Sequence, residues 1–402
     1  MHRRDRVTLS VLCAGHFVND SYSSIIYPLL PLIQVQLGLS TAQVFWLAPL
    51  YSISSSLMQP LYGFVSDRYA RRSFAVFGPL ITGVFVSMIG LAPSYGALVL
   101  LLVAGGVGIG SFHPQAAAMA SLASSDRRRV GMALFSAAGT LGFAIGPIGI
   151  ALIVTAFSLG KTYYIAGLGF IMSAVLFRFC PPLDAPAVRD PATTRPRWQL
   201  LAALRPAWKP LLLLYLITVI RSGLQMTTNN YLPFVLGERG YHVTGTGGVM
   251  TVFLLLGGVG GLAGGFMAER VSGRAVTMYS GILAGPLMVA ALMTTGPVSV
   301  ILLGLAGFAL LSTLPVNVAM AQELVPGQTS TVSALMMGAA WGVGALAPPV
   351  LDAFVPAYSF RTVLMMAYVA TLATAVIAYF LPRDERSHHV VDTEMATAAV
   401  GD

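Results

Sequence analysis

Gly63-Phe-Val-Ser-Asp67-Arg68-Tyr-Ala-Arg71-Arg72 closes one long apolar run, and Gly265-Phe-Met-Ala-Glu269-Arg270-Val-Ser-Gly273-Arg274 closes another, 202 residues further on. A glycine, an acid four residues later and flanking arginines therefore recur at half the chain length. Pro114 and Met119 return as Pro315 and Met320, and Pro147 as Pro348, each at an offset of 201. Two halves of equal topology follow. Parallel repeats with a site at their midplane interface are a recurrent plan of membrane transporters.

Around this repeat the composition is that of a membrane protein. Of 402 residues, 56% are hydrophobic and 9% charged, with a mean hydropathy of +0.78, against about 25% charged residues in soluble domains. The net charge of +8 does not imply nucleic acid, since the basic residues stand in short clusters between apolar runs instead of on one solvated face. Cys13 and Cys180 lie within apolar runs and outline no disulfide framework. Arg3, Arg4 and Arg6 before an apolar run imitate a secretion signal, but the run continues past His16 and Asp20 without a cleavage site, so it reads as a first membrane span.

A spanning helix needs about 20 mostly apolar residues. Twelve segments qualify, near 7–33, 42–64, 73–92, 97–123, 131–155, 161–180, 209–236, 247–269, 275–294, 298–325, 330–355 and 359–381. The expected organisation is an all-α membrane protein of twelve transmembrane helices: a six-helix bundle over 1–180, a linker rich in Pro, Arg and Asp over 181–208, a second bundle over 209–381, and a disordered tail over 382–402. With the N-terminus inside, 19 of the 23 Lys and Arg residues fall on cytoplasmic segments, which places both termini in the cytoplasm.

The loop Gly63, Asp67, Arg68, Arg71, Arg72 resembles the signature loop of the major facilitator superfamily, with Ala70 where a second glycine is usual. Gly142-Phe-Ala-Ile-Gly146-Pro147 resembles that superfamily's antiporter motif, with Ile150 in place of a later glycine. His16-Phe-Val-Asn19-Asp20, Phe112-His113-Pro114 and Gln322-Glu323-Leu-Val-Pro-Gly327 are similar to its fosmidomycin-resistance efflux branch, although Gln115 stands where that branch commonly has Glu. The resemblance implies the major facilitator fold in a bacterial cytoplasmic (inner) membrane, and efflux of a polar antibiotic such as fosmidomycin or a related compound. The loop residues, with their echoes Glu269, Arg270 and Arg274, are then gating residues.

Ionisable residues at mid-bilayer are costly and face a partner or a water-filled cavity. His16, Asn19 and Asp20, at i, i+3 and i+4, share one face of the first helix. Span four offers Ser111, His113 and Gln115; span seven Arg221, Gln225, Asn229 and Asn230; span ten Asn317, Gln322 and Glu323. At the 202-residue offset Arg221 stands opposite Asn19, so a pseudo-two-fold axis brings Arg221 and Asp20 to similar depths, and an ion pair between them is expected. Such a pair serves either as a structural lock between the halves, or as a site where Asp20 exchanges a proton while Arg221 holds Asp20 or an anionic substrate. Histidine titrates near neutral pH when unperturbed, which makes His16 and His113 candidate proton carriers. Asn19, Gln115, Arg221, Gln225, Asn229 and Asn317 are candidate substrate ligands, and Glu323, near the cytoplasmic end of its span, a gate contact.

No HExxH helix, GxSxG elbow or phosphate-binding loop is present, and the dinucleotide-like spelling from Gly258 to Ala263 sits inside a span with no strand before it. No enzyme activity, cofactor or metal site is expected. The expected function is proton-coupled export of a small molecule, driven by the proton gradient, by a monomer in contact with lipid. The alternatives are transport of a metabolite or metallophore and, behind these, a membrane enzyme or a sensor.

Overall fold

The computed structural model describes residues 3–65, 71–124, 128–181, 205–325 and 332–382, and within them the chain is helical, without strands. The linker expected over 181–208, the tail over 382–402, and Asp67 and Arg68 of the loop signature fall largely or wholly outside these residues.

Among the described residues, ten helical stretches are long and apolar enough to cross a bilayer. Two further spans precede them in interrupted form. Span one consists of Arg3–Ser24 and Ile26–Leu37, and span two of Thr41–Ser52, the wide π turn Ile53–Leu57 and Gln59–Val65. Spans three to six are 71–91, Tyr95–Ala123, Arg128–Phe157 and 159–179. Spans seven to twelve are Arg205–Glu238, Val243–Arg270, Gly273–Met293, Gly296–Leu324, 332–352 and Phe360–Tyr379. Span eleven carries its own wide turn, Ala334–Ala339. Twelve spans thus stand within about four residues of the places where hydropathy puts them. Span two, for example, starts one residue earlier because Ser40 caps it: its hydroxyl accepts from the Gln43 amide while the Gln43 side chain accepts from the Ser40 amide.

The packing repeats as the sequence does. In the first half, span one lies on five, two on four, and three on both four and six; in the second, span seven lies on eleven, eight on ten, and nine on ten and twelve. Between halves, span five runs along eight, and span two along eleven. Small residues allow these approaches, as is usual where lipid tails remove the hydrophobic drive between helices. A methyl group on Gly142 would lie 2.1 Å from the Phe17 carbonyl oxygen, and one on Gly146 2.3 Å from that of Ser21, so both motif glycines seat span five against span one. Pro147 faces the other half, its carbonyl 2.6 Å from where Gly247 of span eight would carry a side chain.

The halves are joined at the end away from the termini. Phe45 of span two packs on Tyr231 and Phe234 of span seven and Phe360 of span twelve, with ring centroids 4.6, 5.6 and 5.9 Å apart. Thr41 donates to Asp352 of span eleven at 3.3 Å, beside a bond within the second half from Tyr231 to the Pro348 carbonyl at 2.9 Å. Thr155 and Thr244 touch hydroxyl to hydroxyl at 2.5 Å. That end is sealed by aromatic and hydroxyl contacts.

Candidate functional site

The centre of the first half holds a compact ionisable group. His16 and Asp20 are one helical turn apart, and span four brings His113 to the opposite side of the carboxylate. His16 Nε2 lies 3.1 Å from Asp20 Oδ2, and His113 Nε2 3.1 Å from Asp20 Oδ1. The far nitrogens are held too: His16 Nδ1 donates to the Phe135 carbonyl at 2.8 Å and His113 Nδ1 to that of Ile109 at 2.7 Å. His16 also stacks on Phe135 with centroids 4.1 Å apart. The side chains of Asp20 and His113 keep 16% and 24% of their exposure, against 9% for His16, so the group is not fully enclosed. Proton exchange needs such an opening.

Gly139 of span five makes room for it. A methyl group there would come within 2.4 Å of His16 Cε1 and Nε2 and 2.8 Å of Asp20 Oδ2. Gly139→Ala is therefore expected to displace the carboxylate from one imidazole and alter the pH dependence of transport, with a smaller effect on folding. A pH series of flux beside thermal unfolding checks this, and an unchanged pH profile contradicts it.

Toward the sealed end the polar face of span one continues through Ser23 and Tyr27. Tyr51 of span two faces Asp20 and Tyr27, and Tyr27 stands beside Met226 and Asn229 of span seven. Gln225 Oε1 and both amide atoms of Asn229 are buried without a hydrogen-bonding partner. Buried polar atoms are rarely left so. Span seven thus carries unused hydrogen-bonding capacity beside Tyr27 of span one. Tyr27 and Tyr51 are ligand candidates that the sequence did not single out, since tyrosines among apolar residues look like packing groups.

The expected ion pair between Asp20 and Arg221 is not formed. Arg221 is fully buried within the second half, donating to the carbonyls of Leu310 (2.9 Å) and Thr277 (3.2 Å) and to the Thr374 hydroxyl (3.3 Å). Its charge is spent on spans nine, ten and twelve. Asn19, its counterpart at the 202-residue offset, accepts from Thr82 of span three at 3.2 Å and is likewise buried inside its own half. The repeat is real, but at this position it ties the first span of each half to the third. Asn317 also turns inward, accepting from Thr277 at 3.1 Å. Gln115 is buried in span four. Asn230 donates back to the Met226 carbonyl at 2.7 Å. Of the residues expected to line a cavity, the structure gathers His16, Asp20 and His113, sets Asn229 beside Tyr27, and directs Asn19, Arg221 and Asn317 into the bundles.

The loop arginines have a structural use in both halves. Arg72 lies 4.9 Å over the Phe177 ring and donates to the Phe177 carbonyl, and Arg274 lies 5.1 Å over Tyr379. Each arginine and each ring is 202 residues from its counterpart, so the same cation–π contact fastens span three to six and span nine to twelve. Glu269, Arg270 and Glu323 are exposed at the same end. Asp67 and Arg68 lie outside the described residues, and the surroundings of Gly63 and Arg71 are not described.

Comparison with known proteins agrees with the fold. The chain is 27% identical over 387 residues to an uncharacterised MFS-type transporter, YfnC, of Bacillus subtilis (strain 168), covering 94% of this chain and 93% of that protein. It is 26% identical over 386 residues to the fosmidomycin resistance protein of Escherichia coli (strain K12), covering 93% and 92%. Among solved structures, an inward-facing, unoccupied bacterial homologue of the human lysosomal transporter Spinster superposes with a TM-score of 0.77 at 16% identity, over 94% of this chain and 96% of that one. The nucleoside transporter NupG gives 0.76 at 14% identity, over 94% and 100%. Residues 12–337 and 214–400 match the profile described as Major Facilitator Superfamily. A twelve-span, twice-repeated helical chain matched over its length in this way is a transporter and not an enzyme, and it belongs to the major facilitator superfamily.

Proposed function

We propose that the chain is a proton-coupled antiporter that exports a small polar molecule from the cytoplasm of a bacterial cell by alternating access. The observation that carries this reading is the partly exposed Asp20 carboxylate, held at mid-span between two imidazoles, while the far end of the molecule is sealed between the halves. A substrate enters from the side of the termini and meets Tyr27, Tyr51, Gln225 and Asn229. The halves then rock, the seal at Phe45 and Asp352 parts, and proton uptake at Asp20 accompanies release. The loop acids and Glu323 act as gate contacts at the opposite end. In this reading the protein is a monomer in the inner membrane, both termini cytoplasmic, with the proton gradient as its energy source and no cofactor. The fosmidomycin resistance protein of Escherichia coli among its relatives makes a polar antibiotic of that kind the first substrate to try.

The test is flux in proteoliposomes. An imposed pH gradient is expected to drive fosmidomycin, or another polar antibiotic from a panel, against its concentration gradient, and to cease doing so when the gradient is collapsed with an ionophore. Uphill transport that ignores the pH gradient removes the coupling. Cysteines introduced at Thr155 and Thr244 supply a second arm: oxidation is expected to arrest flux and reductant to restore it, because these hydroxyls touch only while the sealed end is closed. Full flux in the cross-linked form contradicts rocking at that seam.

A further inference from the structure

We propose that His16, Asp20 and His113 bind two exchangeable protons as one unit, which deepens the proton coupling proposed above by giving its site a stoichiometry. The far nitrogens fix the state of each ring. Each Nδ1 lies against a backbone carbonyl, at 2.8 Å for His16 and 2.7 Å for His113. A carbonyl oxygen only accepts, so each Nδ1 carries a hydrogen, and a neutral imidazole then has a bare Nε2. The hydrogen is assigned from its partner, as it must be for histidine. Both Nε2 atoms face the same carboxylate, each on its own oxygen, at 3.1 Å.

A bare imidazole nitrogen and a carboxylate oxygen both present lone pairs. At 3.1 Å they attract only with a proton between them. Two contacts therefore hold two protons. A carboxyl group carries at most one, so at least one imidazolium is present whenever both contacts are made. The occupied forms are two imidazoliums on a carboxylate, or one imidazolium and one imidazole on a carboxylic acid; both carry one net positive charge. Release of both protons leaves two imidazoles and a carboxylate, one net negative charge and no bridge. The only bonds made or broken are N–H and O–H, with the protons taken from water on one side and returned to water on the other. The two protons belong to the cluster and not to individual residues.

Nothing packed around the cluster supplies a competing charge among the described residues. Span five presents Phe135 and Gly139, span four adds Phe112, and span two presents Tyr51, whose phenol is neutral near pH 7.

Nitrogen-15 NMR of the histidine-labelled full chain in lipid nanodiscs tests this without a substrate. The signals of His16 and His113 are identified by their separate loss in His16→Gln and His113→Gln, while the wild type carries the measurement. At alkaline pH both rings are expected in the Nδ1–H form, which free histidine disfavours. On acidification both Nε2 atoms take part in one coupled titration that adds two protons. A ring that keeps its hydrogen on Nε2 at alkaline pH overturns the proposal, because an N–H already points at the carboxylate and no exchangeable proton is needed. Titration of one ring alone overturns it as well. So does tight binding of one equivalent of Zn2+ that moves both Nε2 signals, which makes the cluster a metal site. Each of these results leaves flux driven by a pH gradient to be judged on its own measurement.

Discussion

Flux driven by a pH gradient is expected to fall to the level of protein-free vesicles in Asp20→Asn. The substitution is nearly isosteric, so the effect is on charge. An amide cannot accept from two imidazoliums at once, since one of its two polar atoms is a donor. Its NH2 donates instead to a bare Nε2, so at least one of the contacts at 3.1 Å no longer holds an exchangeable proton. Substrate binding and thermal stability should stay close to wild type, because Tyr27, Gln225 and Asn229 are untouched and the imidazoles keep their carbonyl partners. Downhill exchange without a pH gradient is expected to survive. Retention of uphill transport with the wild-type pH profile would remove Asp20 from the coupling.

Arg221→Gln is expected to lower stability by about 3 kcal/mol, taking roughly 1.5 to 3 kcal/mol for each hydrogen bond to a charged group and allowing the glutamine to keep one of them. The arginine joins spans nine, ten and twelve to span seven, so its loss loosens the second half as a body. The decisive comparison is the double variant with Asp20→Asn. Partners in one buried ion pair compensate each other when both are removed, whereas these two residues share no partner and should add. Thermal unfolding of the two single variants and the double variant reads this directly. Recovery of stability in the double variant would restore the ion pair that the structure replaces with two separate networks.

The difference between those networks and the expected pair shows where sequence reasoning stops. Span number and the repeat were legible, because each rests on a period: about twenty apolar residues for a span, a 202-residue echo for the halves. His16 and Asp20 were legible as neighbours because helix geometry fixes the i, i+4 relation. Their meeting with His113 was not, since it depends on the rotation of span four about its axis. The same uncertainty misplaced Arg221. Its depth followed from the repeat, but the direction of its side chain follows from which carbonyls of spans nine and ten come within reach, and a hydropathy pattern that is apolar almost all round gives no face to choose. Tyr27 and Tyr51 went unnoticed for the same reason.

Spans two and eleven each contain a wide turn, and the two lie side by side: Gly338 stands 3.8 Å from the Ser56 carbonyl oxygen and Gly342 3.5 Å from Leu57, measured from where their side chains would begin. A wide turn inserts one residue into the helical count, which rotates the remainder of the helix by about 100°. Each span is therefore two rods in series, coupled by a loosely bonded joint at the same level as its neighbour's. One rod of each pair can stay clamped at Phe45 and Asp352 while the other swings. Any bend in these spans is expected at Ile53–Leu57 and Ala334–Ala339, where the regular helical ladder is interrupted.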